Sequence, residues 1–325
     1  MTSFIQILIG CVLAATLAGG AVLDTNITVI TTDITAEVGT MINLDGMNDL
    51  TYQTMTDKTL TSDAPCIVRI ATREIEGDYS YQLMPVSEGE TDIVCTGTVN
   101  GEDVIERLHV TVTSDDAVLT GADLSVYQTG LSIASLKSDY NLDFVILRAG
   151  HGAEADTMFT TYAAECDFNQ MPYGVYWYLA SGDETSLMTT HDAESQANLL
   201  CNQLDQTEGS SRTLPVYLDL ESATLCEGAD DPASHIQTLC ETFVSVAEAR
   251  GYAITGLYVN TYFCTTYLND AYFLTYEDLW YARYGVSGSQ PTLEIQETIV
   301  VPAMWQTGNS FTIEGIDIDM DYLYI

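Results

Sequence analysis

Hydrophobic and polar residues follow two different rhythms along this chain. Between Asp24 and Asp116 the apolar positions alternate with polar ones in short runs: Ile27 and Val29, then Tyr79, Tyr81 and Leu83, then Leu108, Val110 and Val112. Period-two alternation, broken by turn residues such as Asn100-Gly101-Glu102, predicts strands with one buried face and hence a small all-β unit over residues 24–116. After Ser114-Asp115-Asp116-Ala117 the pattern changes. Apolar runs at Asp143–Leu147, Gly174–Tyr178, Leu214–Leu218 and Ile254–Val259 are separated by amphipathic stretches near 187–206 and 233–250. Alternating strand and helix predict an α/β domain with parallel strands over residues 120–325. Beyond Trp280 the pieces LWYARY, AMWQT and IDMDYLY read as strands with little helix between them, so a barrel built this way is irregular at its end.

No charged side chain precedes Asp24. The 15-residue apolar run Phe4–Ala18, followed by Gly19, Gly20 and Ala21, has the pattern of a signal peptide over residues 1–21 with small residues for cleavage. Its lack of Lys and Arg leaves an uncleaved membrane anchor as the alternative. Either way a secreted or cell-surface protein is expected. Eight cysteines, at 11, 66, 95, 166, 201, 226, 240 and 264, form no CxxC pair, and no histidines stand at ligand spacing, so neither a metal nor a cofactor is expected. Loss of Cys11 with the signal leaves seven. Cys66 with Cys95 and Cys226 with Cys240 are the pairings to test first, although spacing does not fix connectivity.

Composition narrows the partners. The 325 residues suffice for about two domains. Forty-seven acidic residues against nine Lys and Arg give a net charge of −38, yet 46% of residues are hydrophobic, enough for a folded core. So few cations exclude a phosphate-binding stripe, and with it nucleic acid or docking on anionic lipid. A membrane contact is expected only if the N-terminal segment stays uncleaved. No glycine-rich phosphate loop opens a helix, so no nucleotide is expected, and Ser125 lacks the G-x-S-x-G context of a serine hydrolase. The histidines at 109, 151, 191 and 235 are scattered.

Carboxylates supply the candidate chemistry. Strand residues two apart share a face, so Tyr217, Asp219 and Glu221 point one way while Val216, Leu218 and Leu220 point the other. Two carboxyls at the C-terminal end of a β/α strand stand where such folds place their sites, and crowding raises the pKa of one of them toward general-acid range. Asp123, on the first strand of the domain, and Asp319, on the last, hold comparable places, and first and last strands are neighbours in a closed barrel. Asp317 offers a second register for the last aspartate. Seventeen of the 20 tyrosines and all three tryptophans fall in this domain, and aromatic faces suit sugar rings.

The blocks GADLSVYQ (121–128), DFVILRAGHG (143–152), GVYWYLA (174–180), LPVYLDLE (214–221), GLYVN (256–260), LWYARYG (279–285), AMWQTG (303–308) and IDMDY (318–322) resemble glycoside hydrolase family 25, the Chalaropsis-type lysozymes. The resemblance implies an irregular β/α (TIM-like) barrel that hydrolyses peptidoglycan at the β-1,4 bond between N-acetylmuramic acid and N-acetylglucosamine. It implies Glu221 as general acid, Asp219 as its partner carboxylate, and Asp123 and Asp319 as flanking aspartates. Tyr176, Tyr178, Tyr258, Trp280 and Trp305 fall at the family's groove-lining positions. Two routes stay open: attack by the substrate's own 2-acetamido group, oriented by Asp219, or inversion with Asp123 or Asp319 as base for water. The family's usual histidine after the third strand is replaced by Tyr176-Trp177-Tyr178. The N-terminal unit resembles, by strand spacing and size, an immunoglobulin-like sandwich. A non-catalytic surface lectin and a chitinase-like glycosidase are the alternatives.

Overall fold

The computed structural model describes residues 7–8, 28–47, 50–75, 78–114, 117–268, 272, 275–295 and 298–325. It divides into two compact units, Met1–Asp116 with Val286–Gly288, and Ala117–Gly285 with Ser289–Ile325. Apart from Ile7 and Leu8, the predicted signal segment lies outside the described residues.

Among its described residues the first unit consists of strands and two short 3-10 turns. One sheet runs in the order Ile7–Leu8, Thr28–Glu37, Glu102–Thr113, Gly89–Val99, Thr56–Ser62, and a second in the order Ile42–Asn43, Asp78–Pro85, Val68–Ile75. Alternation is visible in Glu102–Thr113, where Leu108, Val110 and Val112 are buried and the residues between them face outward. Asn100 and Gly101, both at positive φ (54° and 83°), close the hairpin between the two longest strands, as a two-residue turn compatible with strand twist requires. Within this core Glu106 is buried and accepts hydrogen bonds from the Tyr52 amide at 2.6 Å and from Thr32 Oγ1 and the Thr51 amide at 3.3 Å.

The second unit is a closed barrel of eight strands: β1 Val118–Leu124, β2 Phe144–His151, β3 Tyr173–Tyr178, β4 Arg212–Asp219, β5 Gly256–Asn260, β6 Asp278–Ala282, β7 Met304–Ile313 and β8 Ile316–Tyr324. The first seven pair in parallel, and β2 pairs with β1 as well as β3. Glu314 and Gly315, at φ 54° and 79°, turn β7 straight back into β8, which is therefore antiparallel to both β7 and β1 and seals the barrel. Helices α1 Ile133–Ser138, α2 Phe159–Asn169, α3 Thr190–Leu204 and α4 Pro232–Ala249 connect the early strands, and α5 Thr261–Tyr267 is the last helix of more than one turn among the described residues. The expected irregular β/α barrel is thus the observed one. Its parallel strands read as continuous apolar runs because both faces are covered: Phe144, Val145, Ile146 and Leu147 are all buried.

Phe144, Ile146, Tyr176, Tyr217, Tyr258, Trp280 and Met304 fill the barrel interior. The Trp280 ring meets Tyr176, Tyr217 and Tyr258 edge-on at 5.7, 5.4 and 4.6 Å between centroids, contacts that each add about 0.5–1.5 kcal/mol to the burial itself. Glycines in the neighbouring strands make room for these rings. A Cβ on Gly256 would stand 2.2 Å from Tyr217 Cδ1, and one on Gly121 would stand 2.4 Å from the Phe144 ring.

Among the described residues neither Cys66–Cys95 nor Cys226–Cys240 is bridged, and Cys95, Cys166, Cys201, Cys226, Cys240 and Cys264 are buried thiols. Cys226 instead donates its thiol to the Ala223 carbonyl, and Cys240 packs on the buried face of α4.

Because the Tyr217 ring is fixed by Trp280 beside it, Gly256→Ala is expected to destabilise the barrel by about 1–3 kcal/mol, read as a lower denaturant midpoint followed by tryptophan fluorescence. An unchanged midpoint would contradict this packing.

Candidate active site

The C-terminal end of β4 carries the acid pair. Tyr217 lies in the barrel core, Asp219 is 4% exposed at the strand's last position, and Glu221 follows with its side chain open to solvent. Val216, Leu218 and Leu220 are buried on the outer face. Asp219 Oδ1 is buried and makes no hydrogen bond to any described residue. Burial first, and then the neighbouring Glu221, push the Asp219 pKa well above the ordinary carboxylate value, against the opposing pull of Arg148. Burial also raises Glu221, against the opposing influence of the Asn260 and Tyr258 side chains, which favour its charged form.

The last strand brings the second pair. Because β8 runs backward, its first half lies at the same end of the barrel as the C-termini of the parallel strands, and Asp319 stands opposite Asp123 in the ladder. Gln306 on β7 joins them: its Nε2 donates to Asp123 Oδ2 at 2.6 Å and to Asp319 Oδ2 at 3.3 Å. Its Oε1 accepts from Tyr258 at 2.8 Å and from Tyr284. Burial, Asp319 and Asp321 raise Asp123 well above its usual value, with the Gln306 hydrogen bond opposing. Burial, together with the charges of Glu221 and Asp317, brings Asp319 up to about 7. Asp317 is exposed at the rim, and its backbone carbonyl accepts from Gln128. Of the two registers open in the sequence, the one through Asp319 meets Asp123.

One layer deeper lies Asp321, fully buried, with Oδ1 accepting from the Trp280 indole at 2.8 Å and Oδ2 unpartnered among described residues. Its pKa is driven well up by burial and by Asp319. The cation facing the cluster is Arg148 on β2. Its Nε binds Asp156 Oδ2 at 2.8 Å, and Asp156 also accepts from the amides of Val126 and Met158, so the guanidinium is held against its own partner while its field reaches Asp219.

The aromatic residues divide differently from the expectation. Tyr178 is partly exposed beside Glu221, and burial lifts its pKa to about 12, whereas Tyr176 and Tyr258 are nearly covered, with their hydroxyls among the carboxylates. Trp280 and Trp305 are not groove residues. Trp280 is 1% exposed and supports the floor through Asp321. Trp305 is fully buried on the face of β7 opposite Gln306, where its indole donates to the Arg283 carbonyl and its ring packs near Tyr322. The inward residue of that block is Gln306, which sequence reasoning passed over together with Tyr284, Asn260, Arg148 and Asp321. Strand phase held the signal, since Gln306 is two residues from the inward Met304.

A barrel that gathers carboxylates from three strands at the C-terminal end of its parallel sheet is the architecture of a glycosidase. The profile of Glycosyl hydrolases family 25 matches residues 122–316, more than half of the chain, and the chain belongs to this family of glycoside hydrolases. No curated protein matches. Among solved structures, the modular autolysin LytC of Streptococcus pneumoniae superposes with a TM-score of 0.54 at 16% identity over 78% of this chain and 66% of its own. The spore cortex lytic enzyme SleM of Clostridium perfringens does so with 0.52 at 20% identity, over 65% and 68%. A lysozyme of Streptomyces coelicolor gives 0.50 at 21%, over 64% and 92%. The chain thus spans about two thirds of LytC and SleM, and the likeness is one of fold.

The raised carboxylates give stability a sign. Asp123, Asp219, Glu221, Asp319 and Asp321 all bind protons more tightly folded than unfolded, so their contribution is complete below the unfolded value near 4 and is lost as pH rises through the folded ones, Asp319's near 7 among them. Thermal unfolding should therefore move to lower temperature between pH 5 and pH 8. Asp321→Asn, which keeps an acceptor for Trp280 but cannot ionise, is expected to flatten that decline in scanning calorimetry, and an unaltered pH slope would contradict a protonated Asp321.

Proposed function

We propose that this protein is a peptidoglycan hydrolase, an N-acetylmuramidase that cleaves the β-1,4 bond between N-acetylmuramic acid and N-acetylglucosamine. The observation that carries this reading is the convergence of Asp123, Asp219, Glu221 and Asp319 on one barrel mouth, with Glu221 the member open to solvent. Glu221 is the general acid: the protein around its carboxyl partly strips it of water and favours the protonated form, while the side chain as a whole stays solvent-exposed and can reach a glycosidic oxygen. Asp219 assists. Its unpartnered Oδ1 is an acceptor for the N–H of a 2-acetamido group, which turns the amide oxygen toward the anomeric carbon, and this favours the acetamido route. Glu221, deprotonated by the first step, then takes the proton of the incoming water. Asp123 and Asp319, held together by Gln306, flank the sugar, while Tyr176, Tyr178 and Tyr258 line the cleft. The fold relatives include an autolysin solved with a synthetic peptidoglycan ligand and a spore cortex lytic enzyme, in keeping with a wall substrate and action outside the cell. The all-β first unit is read as an immunoglobulin-like module carried ahead of the catalytic domain.

Full-length protein and its Glu221→Gln variant, incubated with peptidoglycan, test this reading through the released sugar ends, identified by reduction and mass spectrometry. New N-acetylmuramic reducing ends from the wild type, reduced at least 100-fold in Glu221→Gln, are expected, on the order of what a positioned general acid contributes. N-acetylglucosamine ends would overturn the bond assignment. Binding without cleavage by either protein would make the barrel a lectin.

A further inference from the structure

Two tyrosines at the rim of the barrel are neither buried nor used in the reaction as described so far. Tyr127, in the 3-10 turn Val126–Gln128 that follows β1, is 77% exposed, and Tyr262, in the first turn of α5 just past the end of β5, is 67% exposed. Both follow the C-terminal ends of parallel strands, the end that carries the acids. Phe168 is exposed too, but it lies in the last turn of α2, at the opposite end of the barrel. Three strands separate β1 from β5 in either direction, so the two tyrosines stand on opposite sides of the mouth.

Each ring is held in place. The Tyr127 amide donates to Ser125 Oγ at 3.3 Å, the neighbouring Val126 amide donates to Asp156 Oδ2 at 3.0 Å, and the Arg148 guanidinium lies over the Tyr127 ring, 5.1 Å from its centre. Tyr262 rides on a helix capped by Asn260, whose Oδ1 accepts from the Phe263 amide at 2.8 Å. It meets Tyr267 edge-on at 5.9 Å between centroids, with the two hydroxyls 3.4 Å apart. Single exposed aromatic residues are common on protein surfaces, but these two are ordered in advance and so lose little conformational freedom on binding. A flat ring with a polar tip suits the C–H face of a sugar. Charge points to the same kind of contact: Arg148, the cation facing the acids, is already engaged by Asp156, so a wall polymer is gripped there by uncharged surface.

Resting on the muramidase reading, we propose that Tyr127 and Tyr262, the latter backed by Tyr267, are outer glycan-binding platforms: the sugar chain crosses the mouth from one to the other, with the bond to be cut at Glu221 between them. Eight strands about 4.8 Å apart, tilted as in such barrels, enclose a mouth on the order of 15 Å across, more than one sugar ring spans. Only a chain of several sugars touches both platforms, so the enzyme selects its substrate by length.

The test compares a stem-free peptidoglycan octasaccharide with the N-acetylmuramyl-N-acetylglucosamine disaccharide, both titrated by NMR against the full chain carrying Glu221→Gln so that neither is cut. Tyr127→Ala and Tyr262→Ala should each raise the Kd of the octasaccharide by roughly threefold to tenfold, and the two losses should multiply in the double variant, because the rings share no partner. The disaccharide should lose less, so the advantage of the longer chain shrinks. Tyr127→Phe and Tyr262→Phe keep the rings and should retain that advantage. With Glu221 restored, the alanine variants should raise KM for the octasaccharide while kcat is kept, whereas damage to the barrel would lower kcat. Equal weakening for both lengths, an octasaccharide unaffected by either single alanine, or one that binds no tighter than the disaccharide before substitution overturns the proposal. Should the protein with Glu221 restored release no sugar ends while octasaccharide binding shows these losses, the muramidase reading fails and the platforms stand.

Discussion

Four carboxyl groups share the mouth of the barrel with a fifth, Asp321, one layer beneath them, and the guanidinium that faces them is already bound to a sixth. Full ionisation of such a cluster away from water is prohibitively unfavourable, so protons are retained on some of its members near neutrality. Everything else in the second unit is arranged around that constraint. Trp280 and Gln306 supply donors to the carboxylates they touch, the tyrosines interpose weakly acidic hydroxyls, and Arg148 contributes its field without a direct bond that would pin a catalytic carboxyl. A retained proton near a solvent-open glutamate is what general-acid chemistry needs.

Topology delivers the groups to one place. Parallel strands offer only their C-terminal ends to a common mouth, and Asp123, Asp219 and Glu221 arrive that way. Asp319 arrives by the opposite path, because the Glu314-Gly315 turn reverses β8 and lays its first half along the end of β1. The same reversal carries Asp321 one layer down, where it meets the Trp280 indole instead of solvent. Glycines in β1 and β5 yield the interior volume that Phe144 and Tyr217 occupy, so the floor beneath the acids is aromatic and dry.

Much of this could be read from residue order. The shared face of Tyr217, Asp219 and Glu221 needs only the period of a strand, and the meeting of Asp123 with Asp319 needs only that first and last strands of a barrel are neighbours. Other features were not readable. Whether Trp305 or Gln306 faces inward depends on strand phase, and adjacent residues in AMWQTG offer both answers, with the tryptophan the more conspicuous. Trp280 has the right phase but the wrong depth, which follows from barrel tilt and register. Arg148 was hidden within an apolar strand whose other members are core. The cysteines suggested bridges by spacing alone, whereas Cys95, Cys226 and Cys240 are buried in separate packing environments and stay thiols.

The central claim is that carboxylic acids persist in the barrel mouth at neutral pH. Infrared spectroscopy of the folded protein in heavy water, followed from acid to alkaline pH, reads protonated carboxyl groups directly through their carbonyl stretch. The account predicts a residual protonated-acid band at pH 7 that disappears only well above it or on unfolding. Complete loss of that band by pH 5 would contradict it.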